Sequence, residues 1–146
     1  MIGSIDRNLG TILFLMTTIL ICQNSNSYAQ KPLELKIKSV FFGGGSYYID
    51  EEQGQDLIDF LEGEMLENYE IHIHSHTDNV GSIEFNKRLS QMRSWATKQL
   101  LISKNLPKEK IFIKDHGLEN PEFDNSTWRG RAQNRRVDVV LFPLPS

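Results

Sequence analysis

Cysteine is almost absent from this 146-residue chain, which holds Cys22 and no other. One cysteine cannot close an intramolecular disulfide, so a small disulfide-stapled scaffold is excluded. Proline is also scarce, at five residues, and charged residues make up 24% of the chain. With 39% hydrophobic residues, this composition excludes a disordered or collagen-like chain and is that of an ordinary globular domain.

Positive charge is missing from residues 39–86, where eleven acidic residues and no Lys or Arg occur. The following residues, 87–146, hold twelve Lys and Arg against six acids, and the formal net charge of the whole chain is −3. Only the C-terminal part can therefore present a basic surface. Because nucleic-acid binding depends on a strongly basic footprint, this balance does not favour a nucleic-acid partner.

Long apolar runs are missing apart from Leu9–Cys22, fourteen uncharged residues that follow Arg7. A membrane-spanning helix needs about 20 apolar residues, so the length of this run favours the apolar part of an export signal. Ser27 and Ala29 place small residues at the two positions that a signal peptidase reads. We therefore predict a signal peptide over residues 1–29 and no transmembrane segment in the mature chain.

Two other fates of this segment stay open. Lipidation at Cys22 would make the protein a lipoprotein, although Ile21 stands where such a signal has Gly, Ala or Ser. An uncleaved segment would act as an anchor. In each case residues 30–146 are predicted to form a single domain.

The chain after the export segment predicts strands and helices in alternation. Lys31–Phe42 alternates apolar and polar residues, which is typical of a strand. Asp50 is a good N-cap with Gln53 three residues later, and a helix with one apolar side should follow and end near Glu67. Glu70–His76 alternates again and predicts a second strand.

The second predicted helix has the clearest local pattern. Ser82 can cap it, Asn105 and Pro107 can end it, and its apolar stripe consists of Phe85, Leu89, Met92, Ala96 and Leu100. Lys110–Lys114 and Val137–Phe142 predict two further strands, separated by a polar loop at Gly117–Thr127. The order βαβαββ predicts an α/β two-layer sandwich with its helices packed on one face of a mixed sheet.

A second stripe on this helix carries polar residues. Asn86, Ser90 and Arg93 recur at helical spacing about a quarter-turn from the apolar stripe, where they should be half-sheltered. The helix begins directly after the loop Thr77–Gly81, so Asp78 and Arg93 can line one cleft. A carboxylate and a guanidinium in one cleft suit a zwitterionic ligand, which brings an ammonium to one and a carboxylate to the other.

Three separated strings then identify a resemblance. HTDNVGSIEFNKRLSQMRSWA, GLENP and STWRGRAQNRRVDVVL resemble the OmpA-like peptidoglycan-binding domain shared by OmpA, MotB and Pal. The family's His-Thr-Asp loop, its Asn, Leu-Ser and Arg on the next helix and its Gly-Arg-Ala-x-Asn-Arg-Arg-Val segment all have counterparts here. The resemblance covers about residues 40–142.

This resemblance implies non-catalytic, non-covalent binding of the peptidoglycan stem peptide through its diaminopimelate, in the periplasm at the cell wall or outer membrane. Asp78 would contact the diaminopimelate ammonium and Arg93 its carboxylate. Supporting or extending positions would be Thr77, Asn79, Asn86 and Arg135. No cofactor is implied, and the domain would anchor an envelope component, such as an envelope or outer-membrane protein partner, to the wall.

The sequence departs from the family pattern at two places. Ser75 stands where the family usually has Gly before His-Thr-Asp, which can alter how the loop leaves the strand. The Gly43-Gly44-Gly45 run is richer in glycine than usual, and this can weaken or widen the pocket.

Other interpretations of single motifs are weaker. His72, His74 and His76 share one strand face, but neighbours on that face lie about 6.6 Å apart at the backbone, which does not suit a metal tripod. We therefore predict no metal site there and a polar sheet face instead. Ser75 and His76 point to opposite faces, so no hydrolase triad is predicted and no enzyme activity is expected.

Two alternatives concern partners. The cluster Arg129, Arg131, Arg135 and Arg136 could touch phosphates, but the predicted export removes the chain from nucleic acid. The competing function is a protein-interaction adaptor that keeps the fold without binding the wall. Such an adaptor would dock through the acidic face of residues 50–70 or through the histidine-bearing sheet face.

Overall fold

The structure is a computed structural model and describes residues 33–145. The predicted export segment, residues 1–29, lies outside the described residues. Within residues 33–145 no helix combines the length and the apolar character that crossing a membrane demands.

The described chain forms four strands and three helices in the order βαβαβαβ. The strands are β1 (Lys36–Phe41), β2 (Tyr69–His76), β3 (Ile111–Gly117) and β4 (Arg136–Pro143). The helices are α1 (Glu51–Glu62), α2 (Ile83–Ser103) and α3 (Trp128–Asn134), with 3-10 turns at Leu66–Asn68 and Lys108–Lys110.

The four strands form one mixed sheet in the order β1-β4-β2-β3. Strand β4 runs antiparallel to both β1 and β2, whereas β2 and β3 are parallel. The crossover between the parallel strands is α2, as the connection of parallel neighbours requires. The predicted two-layer α/β architecture with a mixed sheet is confirmed.

The core lies between the sheet and the helices. Alternate residues of the strands point into it, because successive side chains of a strand face opposite sides. The buried apolar side chains include Val40, Ile71, Ile73, Val137, Val139 and Leu141 from the sheet and Leu57, Ile58, Leu61 and Leu101 from the helices. The other sheet face carries the histidines of β2.

The first helix is capped as its sequence predicts. The Asp50 carboxylate accepts a hydrogen bond from the Gln53 amide N–H at 2.9 Å. The Gln53 side chain also pairs with the backbone of Phe41 at the edge of the sheet, accepting from its N–H at 2.7 Å and donating to its carbonyl at 3.0 Å. One glutamine therefore joins the start of α1 to the end of β1.

Several predicted boundaries were wrong. The first strand begins at Lys36 rather than Lys31, and α1 ends at Glu62 rather than near Glu67, because Gly63 closes it and a 3-10 turn follows. The strand predicted at Lys110–Lys114 extends over Ile111–Gly117. The predicted order βαβαββ also missed α3, a helix of seven residues whose N-cap is Thr127. Such a short helix containing a glycine shows little apolar periodicity.

The orientation of α2 differs from the predicted one. Of the predicted apolar stripe only Leu89 is buried, while Phe85 and Met92 are exposed. The stripe of Asn86, Ser90 and Arg93, predicted to be half-sheltered, is instead fully buried. A polar stripe can face the interior here because hydrogen bonds within the chain satisfy most of its polar atoms.

Candidate functional site

The candidate site begins where β2 ends. Residues 77–81 leave the sheet as a loop, and Gly81 turns it with a φ of 98°, which a residue with a Cβ adopts only under strain. Ser82 then caps α2 by accepting from the Phe85 N–H at 3.1 Å. Asp78 Oδ1 accepts from the Val80 N–H at 3.1 Å, so the loop holds its own carboxylate in place.

The Asp78 carboxylate forms an ion pair with Arg135, which follows α3. Arg135 Nη1 lies 3.0 Å from Asp78 Oδ2, and the two side chains are 18% and 10% exposed. Arg135 Nε also donates to the Phe42 carbonyl at 3.1 Å. These bonds bring together three parts of the chain that are far apart in sequence. The ion pair reaches the surface at its edge.

Arg93 lies beneath this pair and is wholly buried. Its guanidinium donates through Nε to the Ser46 carbonyl at 2.8 Å, through Nη1 to the His76 carbonyl at 3.0 Å and through Nη2 to the Gly43 carbonyl at 3.1 Å. It also lies over the Phe42 ring, 4.9 Å from its centroid. Arg93 therefore links the glycine-rich loop, residues 43–46, to the end of β2 by hydrogen bonds.

Electrostatics links the three charged groups. Burial lowers the pKa of Arg93 to about 10, the Asp78 carboxylate opposes this shift, and Arg135 adds to it. Arg93 consequently stays protonated at neutral pH. The site thus combines two guanidinium groups with one carboxylate, an excess of positive charge that favours an anionic group on a ligand.

Two polar oxygens of the site have no hydrogen-bond partner within residues 33–145. They are Thr77 Oγ1 and Asn86 Oδ1, both on side chains that are 98% or more buried. The amide nitrogen of Asn86 is used, because Nδ2 donates to the carbonyls of Val80 and Ser82 at 3.0 and 3.2 Å. Since buried oxygens usually have donors, these two are the unsatisfied acceptors of the site.

A layer of small polar residues lets α2 lie close to the sheet. Ser75 Oγ lies 2.9 Å from the Ser90 carbonyl oxygen and 3.1 Å from Asp115 Oδ1 and can donate its one hydrogen to either, and Ser94 Oγ donates to the same carboxylate oxygen at 2.6 Å. Ser75, which replaces the family's usual glycine, therefore contacts the helix. The register of β2 and β3 shifts between Ser75 and His76, directly before the site loop.

The structure brings together five of the six residues predicted for the site and leaves the sixth exposed. Asp78, Arg93 and Arg135 form one electrostatic cluster, and Thr77 and Asn86 line it from the loop and α2. Asn79 is exposed on the loop. The carbonyls of Gly43 and Ser46 were not predicted as partners of Arg93. The glycine run marked this loop as unusual, but nothing local links it to a helix 50 residues later.

On the sheet face that points away from the core, the histidines of β2 form a cluster with His116 of β3. His116 Nε2 lies 3.4 Å from His74 Nδ1, and the His116 ring stacks on His76 with centroids 4.6 Å apart. Residues 33–145 contain no group of three or more His, Cys, Asp or Glu arranged to hold a metal ion. The face is half-buried rather than fully exposed.

The arginine cluster is largely engaged within the domain. Arg136 bonds Asp138 at 3.0 Å and Glu122 at 2.5 Å, and Arg131 donates to the carbonyls of Asn125 and Ser126. Lysines of β1 pair with acids of and near the first helix, Lys38 with Asp56 of α1 and Lys36 with Glu64, which lies just after it.

Acid should destabilise the domain through His76. Burial, followed by the charges of Arg136 and His116, lowers the pKa of His76 to about 4, although Asp138 opposes the shift. Between pH 6.5 and 4 this histidine binds a proton in the unfolded chain but not in the folded chain. The free energy of unfolding therefore falls as the pH falls. We expect about 2 kcal/mol of unfolding free energy to be lost from pH 7 to pH 5 through this group.

Urea unfolding of the wild type and of His76→Gln at both pH values measures this loss. The variant, which has no titrating group at this position, should lose about 2 kcal/mol less than the wild type between the two conditions. An equal loss in both proteins would contradict the assignment to His76.

The structure is a two-layer α/β domain in which the charged cluster of Asp78, Arg93 and Arg135 lies between a strand-end loop and a helix. The sequence model of the OmpA family matches residues 41–135, which is well over half of the chain, so this chain belongs to the OmpA family.

Individual relatives agree with this assignment. The chain is 29% identical over 118 residues to outer membrane protein A of Bordetella avium, covering 77% of this chain and 61% of that protein. It is 36% identical over 69 residues to the peptidoglycan-binding protein ArfA of Mycobacterium bovis, covering 47% of this chain and 21% of that protein. The chain therefore spans less than two thirds of these relatives.

A solved structure shares the fold over nearly its whole length. The peptidoglycan-associated lipoprotein of Burkholderia pseudomallei superposes with a TM-score of 0.64 and 27% identity, covering 72% of this chain and 90% of that one. The agreement places the sheet and helices of this domain in the arrangement seen in that lipoprotein.

Proposed function

We propose that this chain is a non-catalytic module that binds cell-wall peptidoglycan through the diaminopimelate of the stem peptide and anchors an envelope component to the wall. The observation that carries the proposal is the ion pair between Asp78 and Arg135. The two residues belong to two of the sequence strings that resemble the family. Relatives named as peptidoglycan-binding and peptidoglycan-associated proteins support it.

The ion pair suits a ligand with both charges. A diamino acid brings an ammonium that can take Asp78 and a carboxylate that can take a guanidinium, so each protein charge keeps a partner when the pair opens. Charge-assisted hydrogen bonds of this kind are among the strongest that proteins make. The partnerless oxygens of Thr77 and Asn86 add acceptors beside the carboxylate, and Asn79 can extend the site at the surface.

Two arginines are candidates for binding the ligand carboxylate. The resemblance assigns this role to Arg93, whose side chain is buried under the carbonyls of Gly43 and Ser46. Arg135 is the one with an exposed edge. We infer that Arg135 makes the first contact. Arg93 adds positive charge from below and reaches the ligand only if the glycine-rich loop releases it.

Location in the envelope belongs to this proposal as well. Relatives are named as outer membrane proteins and lipoproteins, which supports a periplasmic domain at the wall or outer membrane. Cleavage after Ala29 remains a prediction from the sequence, and lipidation at Cys22 remains the alternative to it.

Co-sedimentation with purified sacculi tests the proposal. Wild-type protein should pellet with sacculi, and Asp78→Asn and Arg135→Gln should each weaken binding at least about tenfold, because each leaves one ligand charge without its partner. Sacculi whose stem peptides carry lysine instead of diaminopimelate lack the second carboxylate and should bind much less protein.

The matched control is Asp56→Asn, the same chemical change at an exposed carboxylate on α1. It should pellet like the wild type, with circular dichroism showing that every variant is folded. Equal pelleting of the wild type and both site variants would contradict the pocket. Release of soluble muropeptides during the incubation would contradict a non-catalytic role.

A further inference from the structure

The outward side of α2 forms an apolar groove next to the candidate site. Trp95 is 62% exposed and Tyr47 is 47% exposed, although both are large aromatic residues. Together with Met92, Arg88 and Gln91 they line a groove of about 570 Å³. Exposed aromatic side chains that line a groove can bind a ligand, because burying their apolar surface removes it from water.

This groove and the site are bordered by adjoining residues of the chain. Phe85 packs against Gly81 of the site loop, since a Cβ built on that glycine would lie 3.0 Å from Phe85 Cδ1. On the other side, the Ser46 carbonyl binds Arg93, and the next residue, Tyr47, lines the groove. One chain segment therefore borders both the charged pocket and the aromatic groove.

The lining of the groove suits a sugar. A pyranose ring has an apolar face of C–H groups and a rim of polar substituents, so it packs on a flat aromatic ring while its rim needs hydrogen-bond partners. Trp95 and Tyr47 supply aromatic rings. The amide of Gln91 can both donate and accept hydrogen bonds. Small ligands are commonly held in this way, by apolar walls with a few polar groups that fix orientation.

The distances fit a sugar that is joined to a bound stem peptide. Diaminopimelate is the third residue of the stem, and three extended residues span about 10–11 Å. Along α2, Phe85 at the rim of the site and Met92 in the groove are seven residues apart, which is about 10 Å. A stem peptide with its diaminopimelate at Asp78 can therefore lay its sugar in the groove.

We propose that the groove lined by Tyr47, Met92 and Trp95 binds the amino-sugar unit of the glycan strand to which the stem peptide is attached. This inference rests on the proposed function. Beyond Tyr47, a second hollow of about 490 Å³ runs between α1 and α2 and also has Tyr47 in its lining, so the neighbouring part of the strand has a place to continue.

Two soluble probes test the groove separately from the charged pocket. One is the free tripeptide that ends in diaminopimelate, and the other is the same tripeptide on the N-acetylglucosaminyl-N-acetylmuramyl disaccharide. Calorimetry should show the wild type binding the disaccharide probe about fivefold or more tightly than the free tripeptide. Trp95→Ala and Tyr47→Ala should lose this preference while their affinity for the free tripeptide stays unchanged.

Trp128→Ala is the matched control, because Trp128 is also exposed but lies on α3; it should keep the preference. The chain has two tryptophans, so Trp128→Phe leaves Trp95 as the only indole. Its fluorescence should shift with the disaccharide probe and not with the free tripeptide.

The possible failures are distinguishable. Equal affinity of the wild type for the two probes would overturn the groove and leave the proposed function standing. Loss of affinity for the free tripeptide in Trp95→Ala would also overturn it. A change from dimer to monomer in Trp95→Ala, with no effect of the sugar, would assign the groove to a second copy instead. If the wild type bound neither probe, the proposed function itself would fail.

Discussion

Arg93→Ala is expected to lower the free energy of unfolding by about 3–5 kcal/mol, a large part of the roughly 5–15 kcal/mol that holds a domain of this size together. The substitution removes three hydrogen bonds to backbone carbonyls, two of them in the glycine-rich loop and one at the end of β2. Each carbonyl would lose its guanidinium donor beside a cavity the size of that group, and the Gly43 carbonyl would keep the Ser46 N–H at 3.2 Å. Chemical denaturation with fluorescence detection measures the change.

Arg88→Ala is the matched control for this experiment. Arg88 lies on the same helix but is 69% exposed and pairs with Glu84 one turn away. Removing an exposed pair of this kind should cost only about 0.3–0.5 kcal/mol. Similar losses in the two variants would mean that the buried bonds of Arg93 contribute no more than a surface ion pair.

The stability effect of Arg93 also determines how binding data should be interpreted. A loss of wall binding in Arg93→Ala has two possible causes, the loss of a ligand contact and the loss of the loop that borders the pocket. Arg135→Gln separates them better, because this side chain is partly exposed and makes fewer buried bonds.

Gly130→Ala should destabilise the domain by about 3 kcal/mol or more. A Cβ at this position would lie 2.0 Å from the Asp124 carbonyl oxygen and 2.9 Å from Thr127 Oγ1, far inside normal contact distances. Either the loop before α3 moves or the Thr127 cap of that helix is lost. Because α3 leads directly into Arg135, wall binding should fall together with the thermal midpoint.

Gly54→Ala makes the same chemical change as Gly130→Ala but should raise the free energy of unfolding instead of lowering it. Gly54 lies inside α1, and a Cβ there would meet Leu100 at 3.6 Å and Ile49 at 3.7 Å, which are ordinary contacts. An alanine restricts the unfolded chain more than a glycine does, so a gain of about 0.5–1 kcal/mol is expected. Destabilisation by Gly54→Ala comparable to that by Gly130→Ala would show that steric space does not decide between the two sites.

Local signals in the sequence predicted the frame of the fold. Asp50 and Ser82 cap their helices as expected, and the alternation of Glu70–His76 predicted β2 because one of its faces is buried. These features depend on residues that are close together in sequence, so the sequence pattern is enough to predict them. The strings that resemble the OmpA family added the residues expected at the site.

The orientation of α2 was harder to predict, because it depends on distant partners. An apolar stripe normally faces the core, yet here Arg93 faces inward and Met92 faces solvent. Arg93 is satisfied by the Gly43 carbonyl, 50 residues earlier. Likewise, Asp78 meets Arg135 across 57 residues. No local pattern specifies such bonds, and a hydrophobicity analysis counts these polar residues as surface.

The pairing of the Gln53 amide with the Phe41 backbone has a consequence for proteins crowded on one polymer. An unpaired strand edge is a template on which another copy of the chain can add its own strand and begin to aggregate. At the end of β1 the glutamine already occupies both backbone groups of Phe41. This position of β1 is therefore closed to strand exchange with another copy of the chain.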